Sequence, residues 1–122
     1  MASNGFTYAG ATAMLSTVLG STLYGKLHIA DPEDGTMNAS AFTTRMPVNF
    51  GPPDSNGIYE LSAPVLWGPL SVSEQFWGVS LWSASTAGIC RIIHQFSKPK
   101  NEFAGDTLKL ASMPIGLPIV GL

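Results

Sequence analysis

The chain has 122 residues, of which 11% are charged, with a formal net charge of −2 and a single cysteine. That length suits one hydrophobic core; against roughly 25% charge in a typical soluble domain, Gly, Pro, Ser, Thr and Asn replace the missing charge and leave the surface poorly defended against association. The charge balance excludes a nucleic-acid footprint, the lone Cys90 excludes an intramolecular disulfide or a cysteine zinc cage, and no apolar run approaches the roughly 18 residues of a membrane span.

The opening Met1-Ala2-Ser3-Asn4-Gly5 has no basic segment followed by an apolar one, so no secretory leader is expected and the chain is expected to stay in the cytoplasm that makes it. Residues 11–20 predict one short helix, with Met14, Leu15 and Val18 on its inner side and Gly20 as its stop. The period then changes to two. Leu23, Gly25, Leu27 and Ile29 alternate with Tyr24, Lys26 and His28 as a half-buried strand that ends at the turn Asp31-Pro32-Glu33-Asp34-Gly35. After a polar loop over 36–44, Arg45 to Phe50 reads as a strand, and Pro47, which has no N–H, places it at a sheet edge or a bulge.

Short strands are expected at 58–62 and 64–67. Gln75 to Trp82 and Ile89 to Phe96 then flank Ser83-Ala84-Ser85-Thr86-Ala87-Gly88 as a hairpin. Its first arm carries aromatic residues on both faces, so one face is expected in the core and the other under a neighbour. Trp77, Val79 and Leu81 are expected inward and Trp82 outward, in the pose of an interface residue. Ser97 to Gly105 reads as a loop and Asp106 to Leu110 as a strand. The end, from Met113 to Leu122, is almost wholly apolar.

Short strands separated by frequent turns predict an all-β fold, a small antiparallel β-sandwich of jelly-roll-like type with one short N-terminal helix. The expected division is an N-terminal arm and helix over 1–22, a sandwich over 23–112, and an apolar C-terminal arm or last strand over 113–122. The arm's Ile115, Leu117, Ile119 and Val120 join Trp82 as expected interface residues.

Chemistry is sparse. His28 and His94 fall on different strands without a carboxylate or cysteine at ligand spacing, and read as structural residues rather than metal ligands. Asp31, Glu33 and Asp34 cluster as calcium ligands do, but their spacing does not fit the calcium-loop pattern, and Pro32 and Gly35 account for them as a turn. No serine sits in a Gly-x-Ser-x-Gly elbow and no glycines form a phosphate cradle. Asn38-Ala39-Ser40 is a formal glycosylation acceptor with no consequence outside secretion. No catalytic residue, metal or cofactor is expected.

The order of segments resembles a family of small phage virion proteins, usually described as tail fibre or minor virion proteins, some of whose relatives decorate capsids. Leu27-His28-Ile29-Ala30-Asp31-Pro32 resembles the family's L-H-T-A-D-P. Phe42-Thr43-Thr44-Arg45 stands where the family has a strand opening with Tyr-Ala-Arg, and Val48-Asn49-Phe50-Gly51-Pro52 where it has V-T-F-G-A. The stretch from Gln75 to Gly88 is similar to V-T-H-V-G-L-W-D-A-A-T-G-G, and Lys98 to Leu108 to P-K-x-V-x-A-G-D-T-L. The similarity covers about residues 12–112, with Ser83 in place of the family's Asp and Ala87 in place of one Gly.

This resemblance implies a β-sandwich component of a virion, assembled in the host cytoplasm, and supplies no catalytic or ligand residues. The expected role is a capsid decoration or cement protein that is not an enzyme. It is expected to self-associate, as a trimer, and to bridge shell subunits, with the major capsid protein or other virion proteins as partners and neither nucleic acid nor membrane. The alternative is a tail fibre or minor tail module for receptor or glycan binding, with Trp67, Trp77 and Trp82 stacking on sugars.

Overall fold

The structure is a computed structural model and describes residues 5–120. Met1 to Asn4, Gly121 and Leu122, the outermost parts of the expected N-terminal arm and C-terminal segment, lie outside the described residues.

Helix α1, Tyr8–Leu19, starts earlier than its apolar pattern implies because Thr7 caps it: the Thr7 hydroxyl accepts the Gly10 N–H at 3.0 Å. The buried face is Ala11, Leu15 and Leu19, at i, i+4 and i+8, with Val18 packed at its border, and Met14, expected inward, is 52% exposed. Gly20 ends the helix, its N–H bonded to the Ser16 carbonyl at 2.9 Å.

The rest of the regular structure is strand: β1 Leu23–His28, β2 Met46–Val48, β3 Val65–Trp67, β4 Glu74–Trp82, β5 Cys90–Glu102 and β6 Leu108–Leu110. The fold is all-β with antiparallel pairing and one short N-terminal helix. Four strands form a sheet in the order β2-β1-β4-β5, and β3 and β6 form a separate ribbon. Pro47 lies on β2 at a sheet edge, as its missing N–H requires.

One face of the sheet is the core. Leu27 lies opposite Val79, and Gly25 opposite Leu81, on neighbouring strands. The ribbon covers this face: the Trp67 indole is fully buried against Gly25, and its Nε1 donates to the Gly25 carbonyl at 2.9 Å. A Cβ at Gly25 would stand 2.9 Å from the Trp67 ring, so the close approach of sheet and ribbon depends on that glycine. Leu15 and Leu19 of the helix, Val65, Leu108 and Leu110 of the ribbon, and Met113 complete the cluster.

Two expectations about the hairpin are corrected. The inward aromatic is Phe76, fully buried, and Trp77 is half-buried. The alternation breaks because Phe76 pairs with Lys100 while Gly78 pairs with Gln95, so β5 spends a longer stretch of chain than β4 over the same interval. That irregularity also explains why 97–102 is strand and not loop. Pro99 falls in the unpaired stretch, where no ladder bond needs its N–H, and pairing resumes through Lys100, Asn101 and Glu102.

The C-terminal segment lies on its own chain. Tyr59 and Ile115 exchange both backbone bonds, at 2.8 and 2.9 Å, and the Val120 N–H donates to the Phe6 carbonyl at 2.8 Å. Met113 is fully buried and Ile115, Leu117, Ile119 and Val120 are half-buried, while Pro114, Gly116 and Pro118 face outward. Prolines are tolerated because they occupy alternate positions, leaving Ile115 free to pair.

Candidate functional site

The second face of the sheet is covered by the chain itself, through the loop between β1 and β2. Asx turns shape this loop: Asp31 Oδ1 accepts the Glu33 N–H at 2.8 Å, and Asp34 Oδ1 accepts the Thr36 N–H and hydroxyl. Of the three carboxylates singled out as a possible calcium cluster, Asp31 and Asp34 are thus used by the turn, and Glu33 enters it through its backbone N–H. Gly35, at φ +101°, presses on Trp82 and Cys90, with no room for a side chain.

Under this loop His28 and Ser80 are both fully buried. His28 Nδ1 lies 2.9 Å from the Met37 carbonyl, which only accepts, so Nδ1 carries the proton and donates. Nε2 then accepts the Ser80 hydroxyl at 2.7 Å, and Ser80 Oγ accepts the Trp82 indole N–H at 2.8 Å. Burial pushes the His28 pKa down, against the bonds to Met37 and Asn38 that raise it. The serine–histidine pair has the distance of a catalytic one but no access to substrate, and its hydrogen bonds are complete. It fixes the loop to the sheet. Burial also pushes the Cys90 thiol up, which keeps it protonated and unreactive.

The expected site residues do not form one surface. Trp82 is 8% exposed and lies beneath Arg45, whose guanidinium carbon is 4.1 Å from the ring centre. Ile115 and Ile119 lie by Tyr59 and Phe6, outside the Trp82 face. Of the three tryptophans proposed for sugar stacking, Trp67 and Trp82 are buried by their own chain and Trp77 is half-buried. Among the described residues no three His, Cys, Asp or Glu side chains converge as a metal set, and no helix is long and apolar enough to cross a membrane.

One concave feature of the described residues is not advertised by the sequence. An open groove of about 490 Å³ runs between β5 and the segment from Lys109 to Pro114. His94 and Phe96, packed edge to face with centroids 6.0 Å apart, line the β5 side. Lys100, its Nζ 5.5 Å from the Phe96 ring centre, and Lys109 bring positive charge to the two walls. Behind the groove, Glu60 accepts the N–H groups of Met113 and Leu61 and the Ser112 hydroxyl. Burial opposes its charge, but those bonds and His94 outweigh it and hold its pKa below the ordinary carboxylate value. Burial lowers the pKa of His94, with Glu60 opposing. Lys98-Pro99-Lys100 was the one hint of this basic wall in the sequence; the approach of Lys109 comes from the fold.

The model of the family described as podophage GP4 fiber I protein gp80 matches residues 8–117. The chain belongs to that family. The match takes in the helix, both sheets and the C-terminal segment as far as Leu117, so the fiber I family description applies to the fold as a whole. A structural role in a phage virion follows from fiber I membership. No curated protein and no solved structure matches the chain.

Proposed function

We propose that the chain is a subunit of a phage tail fibre and acts by self-association and contact rather than by catalysis. The observation that carries this reading is the fiber I family match over residues 8–117. It supports the tail fibre over the capsid decoration role, for which no separate observation speaks.

The surface supports the associating part of the reading. Helix α1 contains no charged residue, and Tyr8 and Met14 are 43% and 52% exposed along it. Phe6, 36% exposed, adjoins Ile119 and Val120, and a side chain at Gly57 would meet both Tyr8 and Ile119. This surface around the two ends of the described chain, with the exposed Asp54 at its border beside Tyr8, is where copies meet, three per assembly, covering what remains open of Ile119 and Val120. Trp82 contributes indirectly, by holding the hairpin that carries β5.

Particles made without this chain test the reading. They should keep shells of unchanged resistance to heat and osmotic shock, and lose fibres and adsorption to the host. Fragile shells with normal adsorption would overturn it.

A further inference from the structure

We propose that the β5 groove binds an extended, acidic peptide segment of another protein, which adds to the sheet as a fifth strand. The sheet order ends on β5, and among the described residues no group outside β4 hydrogen-bonds to the backbone of residues 93–97. A free strand edge is a template for another chain, and proteins usually blunt it with short length, proline, charge or a cover. The opposite edge is blunted in this way: β2 has three residues, one of them Pro47. On β5 the bulge, Pro99 and the lysines fall towards the C-terminal end, and the stretch Ile92-Ile93-His94-Gln95-Phe96 itself has no charge and no proline, with a groove held open beside it.

The groove's charge chooses the partner. Lys100 and Lys109 stand on its two walls, no carboxylate lines it, and Glu60 behind it is occupied by Met113, Leu61 and Ser112. An entering strand lies about 4.8 Å from β5 and turns alternate side chains to opposite faces. Glutamate or aspartate at such positions meets the lysines while the strand's own amides satisfy the edge. Main-chain bonds supply affinity and charge supplies choice of partner. A saccharide could use the lysines, but would leave the row of backbone groups unmet, so the peptide is the occupant that fits both features.

The test uses the full chain, isotopically labelled, and a peptide of about eight residues alternating valine with glutamate. The expected result is chemical-shift change and slowed amide exchange confined to residues 93–97 and the groove wall. Two counterparts, one with lysine for glutamate and one N-methylated along one edge, should not bind. Lys100→Glu combined with Lys109→Glu should weaken the acidic peptide by about tenfold or more while leaving the fold's circular dichroism unchanged. Equal binding of the acidic and basic peptides, or no change at 93–97 at millimolar peptide, would overturn the proposal. So would tight binding of an acidic oligosaccharide that leaves exchange at 93–97 unaltered, since the groove would then be an anion site and not a strand acceptor.

Discussion

The guanidinium of Arg45 lies over the ring of Trp82, 4.1 Å from its centre, and its Nη1 also donates to the carbonyls of Ala84 at 3.0 Å and Ala87 at 2.6 Å. One side chain, entering β2 at one edge of the sheet, thereby holds the hairpin turn that joins β4 to β5. Stacking on an indole and donating to two carbonyls together need a flat, multiply donating cation, which Arg is and Lys is not. Arg45→Ala should cost about 2 kcal/mol in urea denaturation, and Arg45→Lys should recover less than half of it. Full recovery by lysine would show that charge alone matters at this position.

The turn itself carries a correctable strain. Ala87 sits at φ +53° and Gly88 at +76°. The left-handed region costs a residue with a Cβ roughly 1–2 kcal/mol, part of which a glycine gives back through its freer unfolded state. Ala87→Gly is therefore expected to raise stability by about 0.5–1 kcal/mol, and Gly88→Ala to lower it. A fall in the melting midpoint of the first variant would contradict the reading.

Packing across the sheet predicts a ranking. Gly25→Ala pushes a methyl into the Trp67 ring, which can shift, and should cost about 1–3 kcal/mol. Gly78→Ala drives one into the His94 carbonyl on β5, where only backbone can yield, and should cost more. Chemical denaturation of the two variants side by side checks the order.

Both histidines are held below their ordinary 6.5 by burial, His28 with a further push from Lys26. Below about pH 6.5 the unfolded chain therefore takes up protons that the folded chain refuses. Stability is full above that pH and is lost as pH falls toward the folded values. Urea midpoints should fall between pH 7.5 and 5, and His28→Gln, although less stable at pH 7.5, should show a shallower slope. An unchanged slope in that variant would assign the effect elsewhere.

The sequence made some of this legible and hid the rest for identifiable reasons. Period-two alternation located β1, β4 and the start of β5, and Pro47 placed β2 at an edge. The inward residue of β4 was hidden because the irregularity that puts Phe76 in the core depends on extra residues in β5, which β4's own pattern cannot record. The start of α1 was set by the cap at Thr7, outside the apolar run, and its buried face centres on Leu15 with Ala11 and Leu19 four residues to either side. Trp82 looked like an interface residue because its cover, Arg45 and the loop around Gly35, comes from distant parts of the chain. The groove was hidden most completely, since Lys100 and Lys109 meet only through the folded arrangement of β5 and β6.

The C-terminal segment is expected to be needed for folding. Met113 is fully buried and Ile115 pairs with Tyr59, so a chain ending at Ser112 loses both a core side chain and a backbone pair. Met113→Ala alone should cost about 2–5 kcal/mol, and the truncated chain should unfold or become insoluble. A folded, soluble truncation would make the segment an independent arm.

Whether this chain is a fibre subunit is decided by a cryo-EM reconstruction of the phage. Density for this fold, with the four-stranded sheet and its ribbon, is expected in the fibres at the tail in a few copies. Density for the same fold spread over the capsid lattice, with none at the tail, would contradict it.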